Sequence, residues 1–244
     1  MKKLIIIAND AEACGKTTLT ALLSGYVQRK GLRQTVVITS QEQELPLDTV
    51  LLDAEDGFDP QELVDLVDHN SVVIVDAHTG GAEDFEKHFF RNRLDEALDE
   101  IECGVTVILP VCDDVAVLHH AQERARVWNK CAEVIVVRMP LLADEHLNYS
   151  GSPAQRFFSQ LGAVELQLPT VKDCILDEIE ALDLDVPLAL TQRQHLTRFI
   201  RTELLAWEVN ACELLREAED LIIPTNSRTS DTRDDAIFGK SLAF

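Results

Sequence analysis

The sequence predicts an α/β fold in which a mostly parallel, twisted sheet carries helices on both faces. Short apolar runs rich in β-branched residues alternate along the chain with longer segments of helical periodicity. Alternation of this kind is typical of βα units, whose strands pair in parallel. The 244 residues, 46% of them apolar, suffice for one large core.

Seven strands and seven helices follow from these patterns. The strands are expected at residues 3–8, 34–39, 49–53, 71–76, 104–109, 133–138 and 163–168. The helices are expected near residues 16–30, 59–69, 83–101, 114–130, 152–160, 171–182 and 191–219. Residues 1–222 are predicted to form one domain, and residues 223–244 a C-terminal tail.

The loop after the first strand keeps the chemically active half of a phosphate-binding motif. Residues 9–18 read Asn-Asp-Ala-Glu-Ala-Cys-Gly-Lys-Thr-Thr. In a P-loop, backbone N–H groups wrap a phosphate chain, the lysine reaches the β- and γ-phosphates, and the next hydroxyl holds Mg²⁺. Gly15, Lys16 and Thr17 supply these parts, whereas Asp10 stands where the first glycine of the usual pattern belongs.

A second phosphate-site signature is the acid that ends the fourth predicted strand. Asp76 follows four consecutive apolar residues, and a carboxylate at this end of a strand beside the P-loop holds the Mg²⁺ water shell in such enzymes. The alternative role for Asp76 is to cap the following loop. Residues 77–81 contain two glycines and suit a switch that senses the γ-phosphate.

Together these two motifs resemble those of the ParA/MinD group of P-loop ATPases. The deviant loop of that group reads Lys-Gly-Gly-x-Gly-Lys-Thr-Thr, and residues 11–18 align with it without a gap. Ala11 replaces its signature lysine, while Glu12 and Ala13 replace the two glycines. Within the group, the loop is most similar to that of atypical plasmid-stability and conjugation proteins of the StbB or TraL type.

The resemblance implies ATP and Mg²⁺ as cofactors and a defined set of site residues. Lys16 and Asp76 are the implied catalytic residues, and Thr17 and Asp76 the implied metal-site residues. The implied nucleotide-binding residues are Ala11, Glu12, Ala13, Cys14, Gly15, Lys16, Thr17, Thr18 and Arg138. Arg138 occupies the position at which the group reads adenine, so it is expected either to stack on a purine or to form an ion pair at the sheet edge.

The resemblance further implies a nucleotide-dependent homodimer that positions, stabilises or transfers plasmid DNA or another cargo through an adaptor protein. Hydrolysis is expected to be slow, because Ala11 cannot contact a partner's phosphate and because Glu42 is the acid available where the group carries its catalytic carboxylate. Two alternatives remain open. One is a degenerate P-loop protein that acts as a structural partner without turnover. The other is a small-molecule kinase or amidoligase-type synthetase of the same superfamily, with His78, Asp113 and Asp114 lining an acceptor pocket.

Composition restricts the partners. A formal net charge of −21 repels the phosphate backbone, so direct DNA binding is expected to be weak or absent. The one weak basic cluster is Arg193, His195, Arg198 and Arg201, and the alternative for it is the solvated face of a helix. The core stripe of that helix would be Leu196, Phe199, Ile200, Leu204, Leu205 and Trp207. We expect a cytoplasmic protein without membrane binding, and the six scattered cysteines predict no metal site.

Overall fold

A computed structural model of the protein describes residues 1–12, 14–41, 48–139 and 149–225. Seven strands form one sheet in the order β3-β2-β4-β1-β5-β6-β7, and every pair of neighbours is parallel. The strands are β1 (Lys2–Ile7), β2 (Gln34–Ile38), β3 (Thr49–Leu51), β4 (Val72–Asp76), β5 (Cys103–Val111), β6 (Glu133–Arg138) and β7 (Val164–Gln167). The predicted fold class and all seven predicted strands are confirmed.

Helices cover both faces of the sheet, as predicted. The described helices are α1 (Lys16–Arg29), α2 (Pro60–His69), α3 (Ala82–Arg91), α4 (Leu94–Glu100), α5 (Val115–Trp128), α6 (Pro153–Leu161), α7 (Asp173–Ala181), α8 (Val186–Thr191), α9 (Arg198–Leu215) and α10 (Glu219–Ile222). Helices α2 to α6 pack with Leu4 and Ile6 of β1 in one core. Helices α1 and α7 to α10 pack with Ile5 and Ile7 in the other, because successive side chains of a strand point to opposite faces.

Two of the predicted helices are divided in the structure. The segment predicted at 83–101 breaks between α3 and α4, where Arg93 adopts a left-handed conformation with φ of 53°. The segment predicted at 191–219 is interrupted before α9, whose first turn is capped by the Thr197 hydroxyl accepting from the Ile200 N–H. Apolar periodicity continues across both breaks, so it did not reveal either of them.

The central position of β1 determines where the candidate site lies. Ile7, the last residue of β1, is in register with Asp76 of β4 on one side and with Ile108 of β5 on the other. Parallel strands end at the same edge of a sheet, so the loop that follows β1 begins beside the Asp76 carboxylate. In open α/β sheets, this edge is where ligands bind.

Helix α1 is fastened to the C-terminal helices by ion pairs. The buried Glu208 of α9 accepts from Arg29 at 2.7 Å and from Arg193 at 2.6 Å. At the end of α1, the Lys30 ammonium and the Tyr26 hydroxyl both donate to the Glu219 carboxylate, at 2.8 and 2.7 Å. Buried or partly buried charge-assisted hydrogen bonds therefore join the second half of α1 to α9 and α10.

The predicted core stripe of α9 is correct only in part. Leu196, Ile200, Leu204 and Trp207 are buried. Phe199 and Leu205, however, are 63% and 47% exposed, so their assignment to the core was wrong. The sheet-facing side of α9 is narrower than the apolar pattern suggests.

We expect Glu208→Gln to lower the free energy of unfolding by about 1–3 kcal/mol, because a neutral amide leaves Arg29 and Arg193 without a counter-charge. Urea denaturation of the full chain measures this change. Glu203→Gln is the matched control on the same helix. Its ion pair with Lys172 lies at the surface, so it is expected to cost about 0–1 kcal/mol. Equal losses in the two variants would contradict the role given to Glu208.

Candidate nucleotide-binding site

Gly15 marks the turn from the loop into α1. Its φ of +84° is strained for residues that have a side chain, and a Cβ placed there would lie 2.6 Å from the Cε atom of Met139. The loop is therefore packed closely against the end of β6. This close approach explains why the second half of the motif requires glycine at this position.

The N-terminus of α1 has no side-chain cap, and its first turn contains no acidic residue. The carboxylates of Asp59 and Asp114 cap α2 and α5, whereas α4 and α7 resemble α1 in having no side-chain cap. The first N–H groups of a helix have no partner within the helix and carry the positive end of its dipole. The first turn of α1, which includes Thr17 and Thr18, is therefore suited to receive an anion.

The Lys16 ammonium is folded back into the loop. It is buried and donates hydrogen bonds to the carbonyl oxygens of Asn9 at 2.7 Å and Ala11 at 2.8 Å. A third hydrogen bond, of 3.1 Å, goes to the Thr79 hydroxyl. Lys16 thus connects the loop with residues 77–81, the segment predicted to act as a switch.

Asn9 holds the start of the loop in place. This fully buried side chain donates to the carbonyl oxygens of Pro110 at 2.9 Å and Val117 at 3.2 Å. Its own carbonyl oxygen accepts from the Ala11 N–H at 3.0 Å. The loop is thereby anchored to the end of β5 and to α5. Sequence reasoning had given Asn9 no function.

Asp76 lies at the predicted position beside the loop, fully buried. Its Oδ2 atom accepts from the Thr20 hydroxyl at 2.8 Å. Thr20 lies one turn after Lys16 on α1, and sequence reasoning missed it because it falls outside the motif. The residue predicted to hold Mg²⁺, Thr17, is half-buried in the first turn of α1.

Asp10, at the position of the first motif glycine, has a structural partner of its own. Its Oδ1 atom accepts from the Ala82 N–H at 3.0 Å, which caps α3 directly after the segment 77–81. Its Oδ2 atom lies 3.7 Å from the guanidinium of Arg124, which in turn lies 3.3 Å from the Glu86 carboxylate. Burial raises the pKa of Glu86 to about 7, and the negative charge of Asp10 acts in the same direction, while Arg124 opposes the shift.

The remaining predicted loop residues differ in their exposure. Glu12 is exposed, so its carboxylate points away from the loop interior, whereas Ala11 is half-buried. Cys14 is buried and donates to the Ala11 carbonyl oxygen at 3.4 Å, and burial raises the pKa of its thiol. The predicted residues Ala13 and Glu42 lie outside the described residues, as do residues 226–244 of the tail.

Arg138 ends β6, next to Met139, which contacts the loop at Gly15. Its guanidinium lies 5.6 Å from the centre of the Tyr149 ring. Within the described part of the chain it forms no ion pair, so the ion-pair alternative is not seen there. This distance corresponds to a cation–π contact with Tyr149, and stacking on a purine remains a prediction.

Two of the three alternative acceptor residues, Asp114 and His78, have local hydrogen-bond partners. The Asp114 carboxylate caps α5 by accepting from the Ala116 N–H, and the His78 N–H donates to the Thr39 hydroxyl at 2.8 Å. Among the residues that the structure describes, no group of three or more His, Cys, Asp or Glu side chains is arranged to hold a metal ion. No described helix has the length and apolarity needed to cross a membrane.

Comparison with known proteins gives matches in structure alone. No family model matches the sequence, and no curated protein matches it. The septum site-determining protein MinD of Pyrococcus horikoshii, solved with Mg-ADP, superimposes with a TM-score of 0.54 at 13% identity, over 92% of this chain and 100% of that one. The cell division protein MinD of Aquifex aeolicus superimposes with a TM-score of 0.50 at 13% identity, over 92% and 99% of the two chains.

These similarities establish that the chain has the α/β fold of MinD-type P-loop proteins. At such low identity they do not extend to chemistry. The finer resemblance to StbB or TraL proteins remains a prediction.

We expect the buried Glu86 to make stability depend on pH. Its pKa is about 7 in the folded protein, against an ordinary value of 4.5. The stability that this shift contributes is therefore fully present below about pH 4.5 and is lost as the pH rises through 7. The Glu86→Gln side chain is neutral at both pH values. Relative to the original chain, the variant's free energy of unfolding should therefore increase by up to about 3 kcal/mol as the pH rises from 5 to 8. Urea denaturation at both pH values measures the gain.

Glu83→Gln is the control for this prediction. Glu83 lies on the same helix but is exposed, and its pKa is lowered by the Lys87 ammonium, so it is ionised at both pH values. Its replacement should not change the difference between pH 5 and pH 8. If Glu86→Gln behaved in the same way, the buried carboxylate would not be the titrating group.

Proposed function

We propose that the protein is an atypical ATP-binding P-loop protein of the ParA/MinD type that hydrolyses ATP slowly and acts as a nucleotide-dependent dimer through an adaptor protein. One observation supports this most strongly. The Lys16 ammonium is buried at the uncapped start of α1, within hydrogen-bond distance of Thr79 in the segment that follows Asp76. A cation, the start of a helix without a side-chain cap and a carboxylate thus converge at one edge of the sheet.

Lys16 has acceptors that a phosphate group can replace. Asn9 O, Ala11 O and the Thr79 hydroxyl are neutral, and a hydrogen bond from an ammonium to an anionic phosphate oxygen is stronger than one to a neutral oxygen. A nucleotide would therefore draw Lys16 away from Thr79. Residues 77–81 would then be free to rearrange, which links binding to the proposed switch.

Thr17 and Asp76 would hold the Mg²⁺ ion, and the donor set fits it, since a hydroxyl and a carboxylate are oxygen ligands of the kind Mg²⁺ prefers. The bound ion would neutralise part of the charge of the phosphate chain. Thr20 donates to Asp76 and thereby orients the carboxylate. Because Asp76 is buried, its orientation is fixed by the protein and does not depend on solvent.

Slow turnover is proposed from the composition of the loop. Ala11 carries no cation that could stabilise charge developing on a phosphate of a partner subunit. Asp10 is held by the Ala82 N–H and lies next to Arg124, so that guanidinium is already occupied with Asp10 and Glu86. In both cases a positive charge that could stabilise the transition state of ATP hydrolysis is absent or already engaged.

The adaptor is proposed because the chain itself is poorly suited to nucleic acid. With a formal net charge of −21, it repels phosphate groups. Arg193 of the basic cluster is bound to Glu208, which leaves Arg198 and Arg201 as its exposed arginines. A basic or DNA-bound adaptor would supply the contact with plasmid DNA or another cargo.

We expect Lys16→Ala to weaken ATP binding about 10- to 100-fold, because a charge-assisted hydrogen bond contributes about 1.5–3 kcal/mol. Titration with a fluorescent ATP analogue in the presence of Mg²⁺ measures the affinity. Lys172→Ala, at a surface lysine paired with Glu203, is the matched control and should bind as tightly as the original chain. Unchanged affinity in Lys16→Ala would refute the nucleotide-binding proposal.

We expect ATP with Mg²⁺ to convert the protein from monomer to dimer, since Thr79 is released from Lys16 only when a phosphate replaces it. Light scattering with ATP, with ADP and without nucleotide measures the mass, and phosphate release is followed in parallel. ATP binding without dimerisation and without phosphate release would favour the structural partner. Transfer of phosphate to a small molecule by a monomer would favour the kinase.

A further inference from the structure

Strand β3 is an exposed edge of the sheet. Among the described residues it pairs only with β2, and its outer side carries no further strand. Val50 and Leu51 are 37% and 39% exposed, although both are apolar. Proteins protect such edges by keeping the strand short or by placing lysine, proline or a bulge in it. Strand β3 is short, with three residues, but Thr49-Val50-Leu51 contains neither lysine nor proline.

The register shows which backbone groups point outward. The Leu52 N–H donates to the Ile38 carbonyl oxygen of β2 at 2.9 Å. Successive peptide groups of a strand alternate in direction, so the N–H and C=O of Leu51 point away from β2, as do those of Thr49. These groups form a short template for another strand.

A cavity lies on each face of this edge. One, of about 480 Å³, lies between β3 and α2. Its lining includes the apolar Val50, Leu51 and Leu66, the acidic Glu62 and Asp65, and the basic Arg33 together with His69. The other, of about 530 Å³, lies between β3 and α1 and is lined by residues that include Leu32, Asp48 and Thr49. An added strand points alternate side chains to opposite faces, so its side chains would enter both cavities.

Most charges around the edge are negative, although the exposed Arg33 lines the cavity beside α2. Between Gln34 and Asp68 the sequence contains ten acidic residues and neither lysine nor arginine. In the part of the chain that the structure describes, four of these acids near β3 form no ion pair: Asp48, Asp53, Glu62 and Asp65. Their charge attracts a cationic partner and repels an acidic one.

We propose that β3 binds an extended segment of a partner protein in which apolar and basic residues alternate, as an eighth strand of the sheet. Main-chain hydrogen bonds to Thr49 and Leu51 give the pairing, the two cavities receive alternate side chains, and the acidic surroundings select lysine or arginine. A second copy of this chain is disfavoured as the occupant, because pairing of two β3 edges would bring the acidic residues around both strands together.

The test uses a fluorescein-labelled peptide, acetyl-Lys-Val-Lys-Val-Thr-Val-Lys-amide, with the full chain in fluorescence anisotropy. The comparison peptide has the same sequence, with the backbone nitrogens of alternate residues methylated on the edge that would face β3. Methylation leaves the charge unchanged and removes the N–H donors, and the added methyl groups can only increase apolarity, so weaker binding would reflect the lost hydrogen bonds and not lost apolar contact. We expect the methylated peptide to bind at least tenfold more weakly at about 150 mM salt.

The protein variant is Leu51→Pro, which removes an outward N–H without removing a hydrogen bond to β2. It should also weaken binding of the unmodified peptide at least tenfold, whereas Leu205→Ala, at a similarly exposed leucine of α9, should not. Circular dichroism shows whether Leu51→Pro folds, and if it does not, the comparison of the two peptides decides. Equal binding of both peptides, or no binding of the unmodified one, would overturn the proposal.

Discussion

The site depends on one physical constraint, the burial of a lysine ammonium. A buried cation is costly unless acceptors surround it, and the loop after β1 satisfies Lys16 with two of its own carbonyl oxygens and the Thr79 hydroxyl. The left-handed turn at Gly15 allows the chain to enter α1 directly after these carbonyls, and the Asn9 side chain fixes the residues that supply them. Loop conformation, helix start and switch segment are therefore determined together.

Replacing the first motif glycine with Asp10 changes how the loop is held. A glycine there would contribute only backbone, whereas the Asp10 carboxylate bonds the N-terminus of α3 and lies against Arg124 of α5. The buried group of Asp10, Arg124 and Glu86 thus joins three elements around the site. Because Glu86 has a pKa of about 7, the net charge of this group changes near neutral pH, close to where a phosphate chain is proposed to bind.

The strands could be predicted because buried parallel strands are continuous apolar runs, and Lys16 and Asp76 because they fall in recognisable sequence contexts. The ends of the helices were harder to predict from the sequence. The left-handed Arg93 and the Thr197 cap interrupt patterns that remain periodic in sequence. Thr20, Asn9 and Arg124 could not be assigned, because their partners Asp76, Pro110 and Asp10 are distant in the chain and are brought close only by the order of the strands.

The ion pairs along α1 have a mechanical consequence. Helix α1 starts at the candidate phosphate site and is bonded along its second half to Glu208 and to Glu219. Since Glu208 also holds Arg193, α1 and α9 can shift relative to each other only if buried charge-assisted hydrogen bonds break. We therefore expect the two helices to move together. A displacement of α1 at Lys16 would then also shift α9, which exposes Phe199, Leu205 and Val209.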